Sequence, residues 1–367
     1  MITIAHITAS LKKGGAEEIL CSLVTHLDTT RFISHVLYFH HGPHAEHLRS
    51  KNIELHHIRG LICMYDPVFW FRLVRTVYLI KPDRIHALLW SSQCASRIIG
   101  WFLRIPVITV YHNQATLESG IRLFIDRITL KCTNNIVAVS NTVAQSIRTA
   151  HAYLPASHIA TITNGIDTQN IDNYLSTHTQ PNKTELNIPI DAQIIGTVGR
   201  LHSVKNHALL LRAYALVLQQ HPNSYLILVG DGPEQSRLTL MAAQLNCAAQ
   251  VIFITQKQAY PYYALFNCFV LPSAQEGMSL ALLEAHYFKC ASVVAHNSPE
   301  HDIITHGHNG LLVQPDNAHD LARAIQAVLE NKTVQHKLGN NAHNHVTQKH
   351  AITHMVMQYE QLFTKVS

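Results

Sequence analysis

Cys268-Phe269-Val270-Leu271-Pro272-Ser273, continued by Glu276-Gly277-Met278-Ser279-Leu280-Ala281-Leu282-Leu283-Glu284, is the stretch from which the fold is read. Residues 268–271 are a short apolar run of the kind that fills a strand buried on both faces. Pro272 ends the run. Ser279 is a plausible N-cap, and the apolar helix it opens carries Glu284 more than one turn inside. Glu276 then lies in the turn. At 1.5 Å rise per residue the two carboxylates are on the order of 10 Å apart. That is too far to share one proton. It suits two grips on one long ligand, beside a helix N-terminus whose free N–H groups and dipole favour a phosphate.

The same strand-turn-helix alternation runs outward over nearly the whole chain. Strands are expected over 2–7, 34–39, 53–58, 84–88, 107–112, 136–140 and 159–162, with helices over 16–27, 67–79, 94–103, 121–132 and 141–151. Residues 168–189 are polar, contain Pro181 and Asn182, and lack an apolar period, so a linker is expected there. A second alternation follows, with strands over 194–198, 225–229, 251–254, 268–271, 292–295 and 310–313. Its helices are expected at 205–220, from Pro233, from Tyr260, from Ser279 and after Asn317. Apolar strands flanked by helices imply a parallel sheet covered on both faces. The expected fold class is α/β, with two doubly wound parallel-sheet domains, 1–170 and 191–350, joined by a linker over 171–190. An amphipathic helix over 351–367 closes the chain. A ligand is expected at the C-terminal strand edges facing the cleft between the halves.

The bulk numbers agree. A chain of 367 residues is expected to split into two domains. Apolar residues make up 47% and charged residues only 14%, which excludes disorder. No apolar run reaches the roughly 18 residues of a membrane span, Arg104 interrupting the best one. The N-terminus reads as a strand without a basic leader, so no signal peptide is expected. Seven scattered cysteines without a CxxC read as reduced core residues of a cytoplasmic protein. The net charge of +5 suits an anionic ligand or surface without calling for nucleic acid. The 28 histidines predict that acid destabilises the chain.

Several turns carry residues fit for chemistry. Gly14-Gly15-Ala16-Glu17 opens the first helix and lets backbone approach a phosphate, although it reads equally as an ordinary turn. Gly199-Arg200-Leu201-His202-Ser203-Val204-Lys205 places two cations where they can bracket a diphosphate, the alternative being a solvated pair. Val229-Gly230-Asp231-Gly232-Pro233-Glu234 reads first as structural punctuation, and Asn164-Gly165-Ile166-Asp167 as a turn into the linker. His112 ends a strand on the cleft side; a lone histidine there is usually structural, while one facing the helix turn of the other half could hydrogen-bond a sugar or polarise a reacting centre. His40-His41-Gly42-Pro43-His44-Ala45-Glu46-His47 invites a zinc or nickel reading, but no second ligand pair is evident and Gly-Pro marks a loop tip. Phe69-Trp70-Phe71-Arg72-Leu73-Val74-Arg75 suits a membrane interface; a core-facing helix is the preferred reading, and any membrane contact is peripheral.

Taken together and in this order, these residues resemble the retaining GT-B glycosyltransferases of family 4. The motifs that carry the resemblance are the Gly-Gly-Ala-Glu turn, the strand ending at His112, Asn164 to Asp167, Val198-Gly199-Arg200 with Lys205, Val229 to Glu234, and the glutamate pair. The resemblance implies a GT-B fold with an acceptor-side first domain, a nucleotide-sugar-binding second domain and a final helix that crosses back to the first. It implies sugar transfer from a nucleotide-diphospho-sugar, with uridine the expected base, to a hydroxyl of a glycan or lipid-linked acceptor. The product would belong to cell-surface polysaccharide, such as lipopolysaccharide. The anomeric configuration would be retained, with no cofactor and no obligatory metal.

By the same resemblance, Arg200 and Lys205 neutralise the leaving diphosphate and Gly14 and Gly15 approach it. Glu276 contacts the donor sugar, with Gly277, Met278, Ser279 and Leu280 around it. Glu284 holds the ribose, and His112 sits near the anomeric carbon. The catalytic set is then His112, Glu276, Arg200 and Lys205. The enzyme is expected in the cytoplasm, peripherally on the inner face of the membrane where it meets lipid.

Departures from the family pattern lie around the donor pocket. Lys289-Cys290-Ala291 replaces a Gly-x-Pro turn. His296-Asn297-Ser298-Pro299 replaces paired glycines, with Glu300 or Asp302 as the acidic residue beyond. Thr255 stands where glycine is common. These departures motivate one alternative, a GT-B-fold protein that binds a nucleotide or partner without turnover; a separate alternative is a GT-B enzyme that is not a transferase, such as a nucleotide-sugar epimerase.

Overall fold

β-branched and aliphatic runs such as Ile2-Thr3-Ile4 and Val107-Ile108-Thr109-Val110 pack well on a pleated surface, and those with both faces apolar are buried between helices. The computed structural model describes residues 1–60, 66–114, 120–255, 258–274, 276–295 and 302–365. The chain divides into unit 1, Met1–Gly165 with Ile352–Ser367, and unit 2, Ile166–Ala351.

Unit 1 runs β1 (Ile2–Ser10), α1 (Gly15–His26), β2 (Phe32–His40), α2 (His44–Ser50), β3 (Glu54–His57), α3 (Pro67–Ile80), β4 (Arg84–Leu88), α4 (Trp90–Leu103), β5 (Val107–Tyr111), α5 (Ile121–Thr129), β6 (Asn135–Ala138), α6 (Asn141–Ala150) and β7 (Ile159–Thr161). Its seven strands pair in parallel, in the order β3-β2-β1-β4-β5-β6-β7. Ile7, Leu37 and Phe39 from the sheet meet Phe69, Leu73 and Val77 of α3 and Ile99 of α4 in its core.

Unit 2 runs α7 (Thr168–Thr177), β8 (Gln193–Val198), α8 (His207–Gln220), β9 (Ser224–Val229), α9 (Gln235–Gln244), β10 (Val251–Ile254), α10 (Tyr260–Tyr263), β11 (Cys268–Leu271), α11 (Leu280–Tyr287), β12 (Ala291–Ala295), β13 (Leu311–Val313), α12 (Ala318–Glu330) and α13 (Lys332–Lys349). The parallel order is β10-β9-β8-β11-β12-β13. Leu210 and Tyr214 of α8, Leu226, Val270 and Val293 of the sheet, and Ile325 of α12 share its core.

The last helix, α14 (Ile352–Lys365), belongs to unit 1. Its Tyr359 and Phe363 are buried and meet the rings of His86, and Phe363 that of His6, edge-on. Glu360 accepts from the Asp28 amide at 3.0 Å and from Arg31 at 3.1 Å. His6 and His86 are themselves buried, their Nδ1 atoms 2.9 Å apart. One ring must donate to the other, and burial holds the pKa of both below the usual value, so each is neutral at pH 7.

Two stretches differ from the sequence reading. Where a linker was expected, residues 168–177 form α7, capped by Asp167 accepting from the Asn170 amide at 2.9 Å. Ile171 is buried, and Asp172 accepts from the Tyr287 hydroxyl at 2.7 Å, so capping and tertiary contacts supply what apolar period did not. The units accordingly divide at Gly165–Ile166. His44 to His47 are not a loop tip but the first turn of α2. Gly42 lies so close to Leu11 that a Cβ would overlap the Leu11 carbonyl, and the Leu11 amide donates to the His40 carbonyl at 3.0 Å. That loop is therefore pinned beneath the end of β1.

Six cysteines are free thiols, five of them buried; Cys63 lies outside the described residues. Among the described residues, no helix is long and apolar enough to cross a membrane.

Candidate active site

In a doubly wound sheet the loops leaving the C-terminal strand ends open a crevice where the strand order reverses. In unit 2 that reversal falls between β8 and β11. The loop after β8 carries Gly199 to Lys205, and the loop after β11 carries Ser273 and Glu276. The two are stitched together by the Ala274 amide donating to the Val204 carbonyl at 3.0 Å. Lys205 Nζ forms an ion pair with Glu276 Oε1, which also accepts from Ser273 Oγ at 2.8 Å. Both partners are largely buried, at 24% and 18% side-chain exposure. The carboxylate is thus aimed by a cation and a hydroxyl, in partly excluded solvent where each interaction counts for more than in water. Arg200 is exposed and has no ion-pair partner among the described residues.

The Val229–Glu234 turn braces this cationic loop from behind. The Gly199 amide donates to Val229 O at 3.0 Å, the Leu201 amide to Asp231 O at 2.7 Å, and the Glu234 amide to Leu201 O at 3.0 Å. A Cβ on Gly230 would overlap the Gly199 carbonyl, and one on Gly232 the Leu201 carbonyl. The reading of this turn as structural therefore fits, and its glycines are set by close backbone approach.

Ser279 caps α11, its Oγ accepting from the Leu282 amide at 3.4 Å. Met278 and Ser279 are buried, and Gly277 and Leu280 half-buried. Glu284, in the second turn, accepts from the Tyr263 hydroxyl at 2.8 Å; that hydroxyl also lies 3.2 Å from the Ala281 carbonyl. Burial, then the Glu284 charge, raises the Tyr263 pKa well above its usual value, so it remains a donor. Tyr263 was missed in the sequence because nothing local marks a tyrosine in a one-turn helix as the partner of a glutamate 21 positions on.

In unit 1 the order reverses between β1 and β4. Gly14 caps α1 in extended conformation and Gly15 is its first residue. The Glu17 carboxylate folds back over Gly14, held by Ser10 Oγ at 2.6 Å. A first-turn carboxylate tempers the pull of this helix end on a phosphate.

His112 directly follows β5. Its Nε2 is enclosed and has no hydrogen-bond partner among the described residues, and burial lowers its pKa to about 4, so the ring is neutral at pH 7. The preceding Tyr111 is locked by a buried network that the sequence reading did not foresee. Arg97 of α4 pairs with Asp126 of α5, Arg97 donates to the Tyr111 hydroxyl at 3.1 Å, and that hydroxyl donates to Asp126 at 2.6 Å. The charges at 97 and 126 are separated in sequence and look like ordinary helix surface until the fold brings them together.

The loop readings at His296 to Pro299 and at Glu300 lie outside the described residues. Lys289, where the family pattern has glycine, adopts the left-handed conformation at φ 58°. The core-facing reading of α3 fits Phe69, Leu73 and Val77, while Phe71, Tyr78 and Leu79 remain exposed. A larger exposed apolar group was not singled out in the sequence: Trp101 and Phe102 on α4, with Ile121, Phe124 and Ile128 on the adjoining α5.

A family model described as glycosyltransferase family 4 matches residues 13–170, and one described as glycosyl transferases group 1 matches 179–345. The chain belongs to glycosyltransferase family 4. This transferase is 25% identical over 300 residues to the putative glycosyltransferase EpsF of Bacillus subtilis, covering 77% of its own chain and 76% of that relative. Over 181 residues it is 30% identical to the N-acetylgalactosamine-N,N'-diacetylbacillosaminyl-diphospho-undecaprenol 4-alpha-N-acetylgalactosaminyltransferase of Campylobacter jejuni, covering 49% of the chain and 46% of that enzyme. Among solved structures, Anabaena HepE in complex with UDP and glucose superposes with a TM-score of 0.87 at 21% identity, covering 99% of this chain and 100% of the other. The lipopolysaccharide outer core galactosyltransferase WaaB gives 0.73 at 15% identity, covering 99% and 100%. The transferase thus has the GT-B fold, with two Rossmann-like parallel-sheet units.

Proposed function

We propose that the transferase moves a sugar from a UDP-sugar to a hydroxyl of a glycan or lipid-linked acceptor in cell-surface polysaccharide biosynthesis, with retention and without an obligatory metal. The observation that carries this reading is the Lys205–Glu276 pair at the strand-order reversal of unit 2, on the loop that also carries Arg200, which has no ion-pair partner among the described residues. Bond cleavage at the anomeric carbon leaves its electron pair on the diphosphate. Arg200, Lys205 and the N-terminal amides of α11 are fixed positive groups suited to that growing charge, the role a divalent ion fills elsewhere. Glu276 accepts a donor-sugar hydroxyl, with Gly277, Met278, Ser279 and Leu280 shaping the pocket wall. Glu284, steadied by Tyr263, takes the ribose hydroxyls. Gly14, Gly15 and His112 keep the roles implied by the family resemblance. The acceptor hydroxyl forms the new bond to the anomeric carbon and its proton passes to the departing phosphate oxygen, so charge balances.

UDP in the Anabaena HepE structure supports the choice of base, and the diphospho-undecaprenol in the Campylobacter enzyme's name supports a lipid-linked acceptor. A peripheral membrane contact through the exposed Trp101, Phe102, Ile121 and Phe124 accords with such an acceptor. The test is turnover of a panel of UDP- and GDP-sugars in excess EDTA. Undiminished transfer from one UDP-sugar is expected. Activity that returns only with added Mg²⁺ or Mn²⁺ would remove the metal-free assignment, and donor epimerised without transfer would favour the epimerase alternative.

A further inference from the structure

β2 and β3 are parallel neighbours at one edge of the unit 1 sheet, with His35 opposite Glu54 and Leu37 opposite His56. Residues two apart on a strand share a face, as do direct cross-strand partners. The register therefore brings His35, Glu54 and His56 to one face from three fixed backbone positions. Their polar atoms converge. His35 Nδ1 lies 3.0 Å from Glu54 Oε2 and 3.3 Å from His56 Nε2, and His56 Nε2 lies 4.0 Å from the same carboxylate oxygen. A point equidistant from the three atoms sits about 2 Å from each, which is the length of a zinc–nitrogen or zinc–carboxylate bond. Hydrogen bonding serves this triangle poorly, since a proton on His35 Nδ1 can go to the carboxylate or to the second ring but not to both. A cation at the centre would take a lone pair from all three.

We propose that His35, Glu54 and His56 form a divalent-cation site of zinc class, with the fourth position open to water. Two nitrogens and a carboxylate oxygen are a donor set that zinc accepts. His35 is largely buried at 14% exposure while Glu54 is 67% exposed, so the site has both a fixed floor and an open entrance. Among the described residues, no lysine or arginine pairs with Glu54.

The site is remote from the transfer chemistry in unit 1. His35 is in register with Ala5 of β1, five residues before the end of that strand at Ser10, or about 16 Å at 3.3 Å per residue. An ion there would clip the four-residue edge strand β3 to β2 and so stabilise the fold rather than the transition state.

The experiment is zinc titration calorimetry on the chelator-stripped full-length protein, with cobalt(II) absorption as a second readout. A chain with 28 histidines will bind zinc weakly at many places, so the signal is one tight equivalent above that background. That equivalent should weaken at least tenfold in Glu54→Gln and in His56→Gln, and persist in His44→Ala/His47→Ala. Cobalt should give visible bands of four-coordinate geometry in the wild type and lose them in Glu54→Gln. Zinc should raise the Tm of the wild type and not of that variant, whose exposed position leaves folding intact. A tight equivalent surviving in His35→Gln/His56→Gln, or none in the folded wild type, would overturn the proposal. Sugar transfer that withstands EDTA in both wild type and Glu54→Gln keeps this outcome separate from the catalytic reading.

Discussion

Lys205 and Glu276 stand 71 positions apart and meet as an ion pair held by Ser273. If Lys205 serves a charge that grows during bond cleavage, Lys205→Ala should lower kcat by about 10²–10³-fold while donor Kd moves far less; equal losses in steady-state kcat and in calorimetric Kd would contradict that role. Glu284→Ala should weaken UDP affinity, and Tyr263→Phe should do so by about tenfold, because each removes part of one charge-assisted bond. An unmoved UDP Kd in Glu284→Ala would remove that residue from the ribose site. Asp126→Asn leaves Arg97 buried without its counter-charge and should destabilise by about 3 kcal/mol in urea unfolding. The sequence marked Glu276, Glu284, Arg200 and Lys205 through strand-turn-helix punctuation, which is local. It could not mark Tyr263, Ser273 or the Arg97–Asp126–Tyr111 network, whose significance comes only from long-range packing.

At the scale of elements, the turn after β9 buttresses the turn after β8, and the space between them admits no Cβ. Gly230→Ala should therefore cost about 2 kcal/mol or more and weaken nucleotide binding as well, since the carbonyl it displaces belongs to the Arg200 loop. Wild-type stability and UDP affinity in that variant would show the brace to be dispensable. The adjoining α4 and α5 present Trp101, Phe102, Ile121 and Phe124 to solvent. Replacing Trp101 and Phe124 together by serine should cut sedimentation with anionic vesicles severalfold and leave UDP binding unchanged; undiminished sedimentation would take this face out of the membrane role. Most strands were legible because parallel strands buried on both faces are unbroken apolar runs. Helix α7 was not, since Asp167 capping and one buried isoleucine hold it rather than a period. Helix α2 was hidden behind Gly42-Pro43, whose turn is fixed by contact with Leu11.

Over the whole molecule, histidine is the residue through which pH acts. Burial lowers the pKa of His6 to about 3, that of His207 to about 4, and that of His86 well below its usual value. The folded protein keeps these rings neutral while the unfolded chain protonates them near pH 6.5. Stability is therefore intact above pH 6.5 and falls as pH drops from there toward the folded values. Each such histidine costs about 2 kcal/mol at pH 5, a sizeable part of the roughly 5–15 kcal/mol by which domains are stable. Calorimetric Tm should fall steeply between pH 7 and 5, and His207→Gln should flatten the slope; a level Tm over that range would refute the buried-neutral assignment. Scattered histidines in the sequence lead to the expectation that acid matters, but do not say which rings carry the effect, because burial is a property of the finished sheets.

The measurement that bears most directly on the account is an NMR time course of the purified transferase with UDP-sugars, following the anomeric proton of the first sugar released or transferred. The account predicts turnover of one donor, with the product appearing first in the donor's own anomeric configuration and no activity in Lys205→Ala above about one hundredth of wild type. A product that appears first as the opposite anomer, or a donor that is bound tightly and never turned over even with lipid-linked acceptor present, would contradict it.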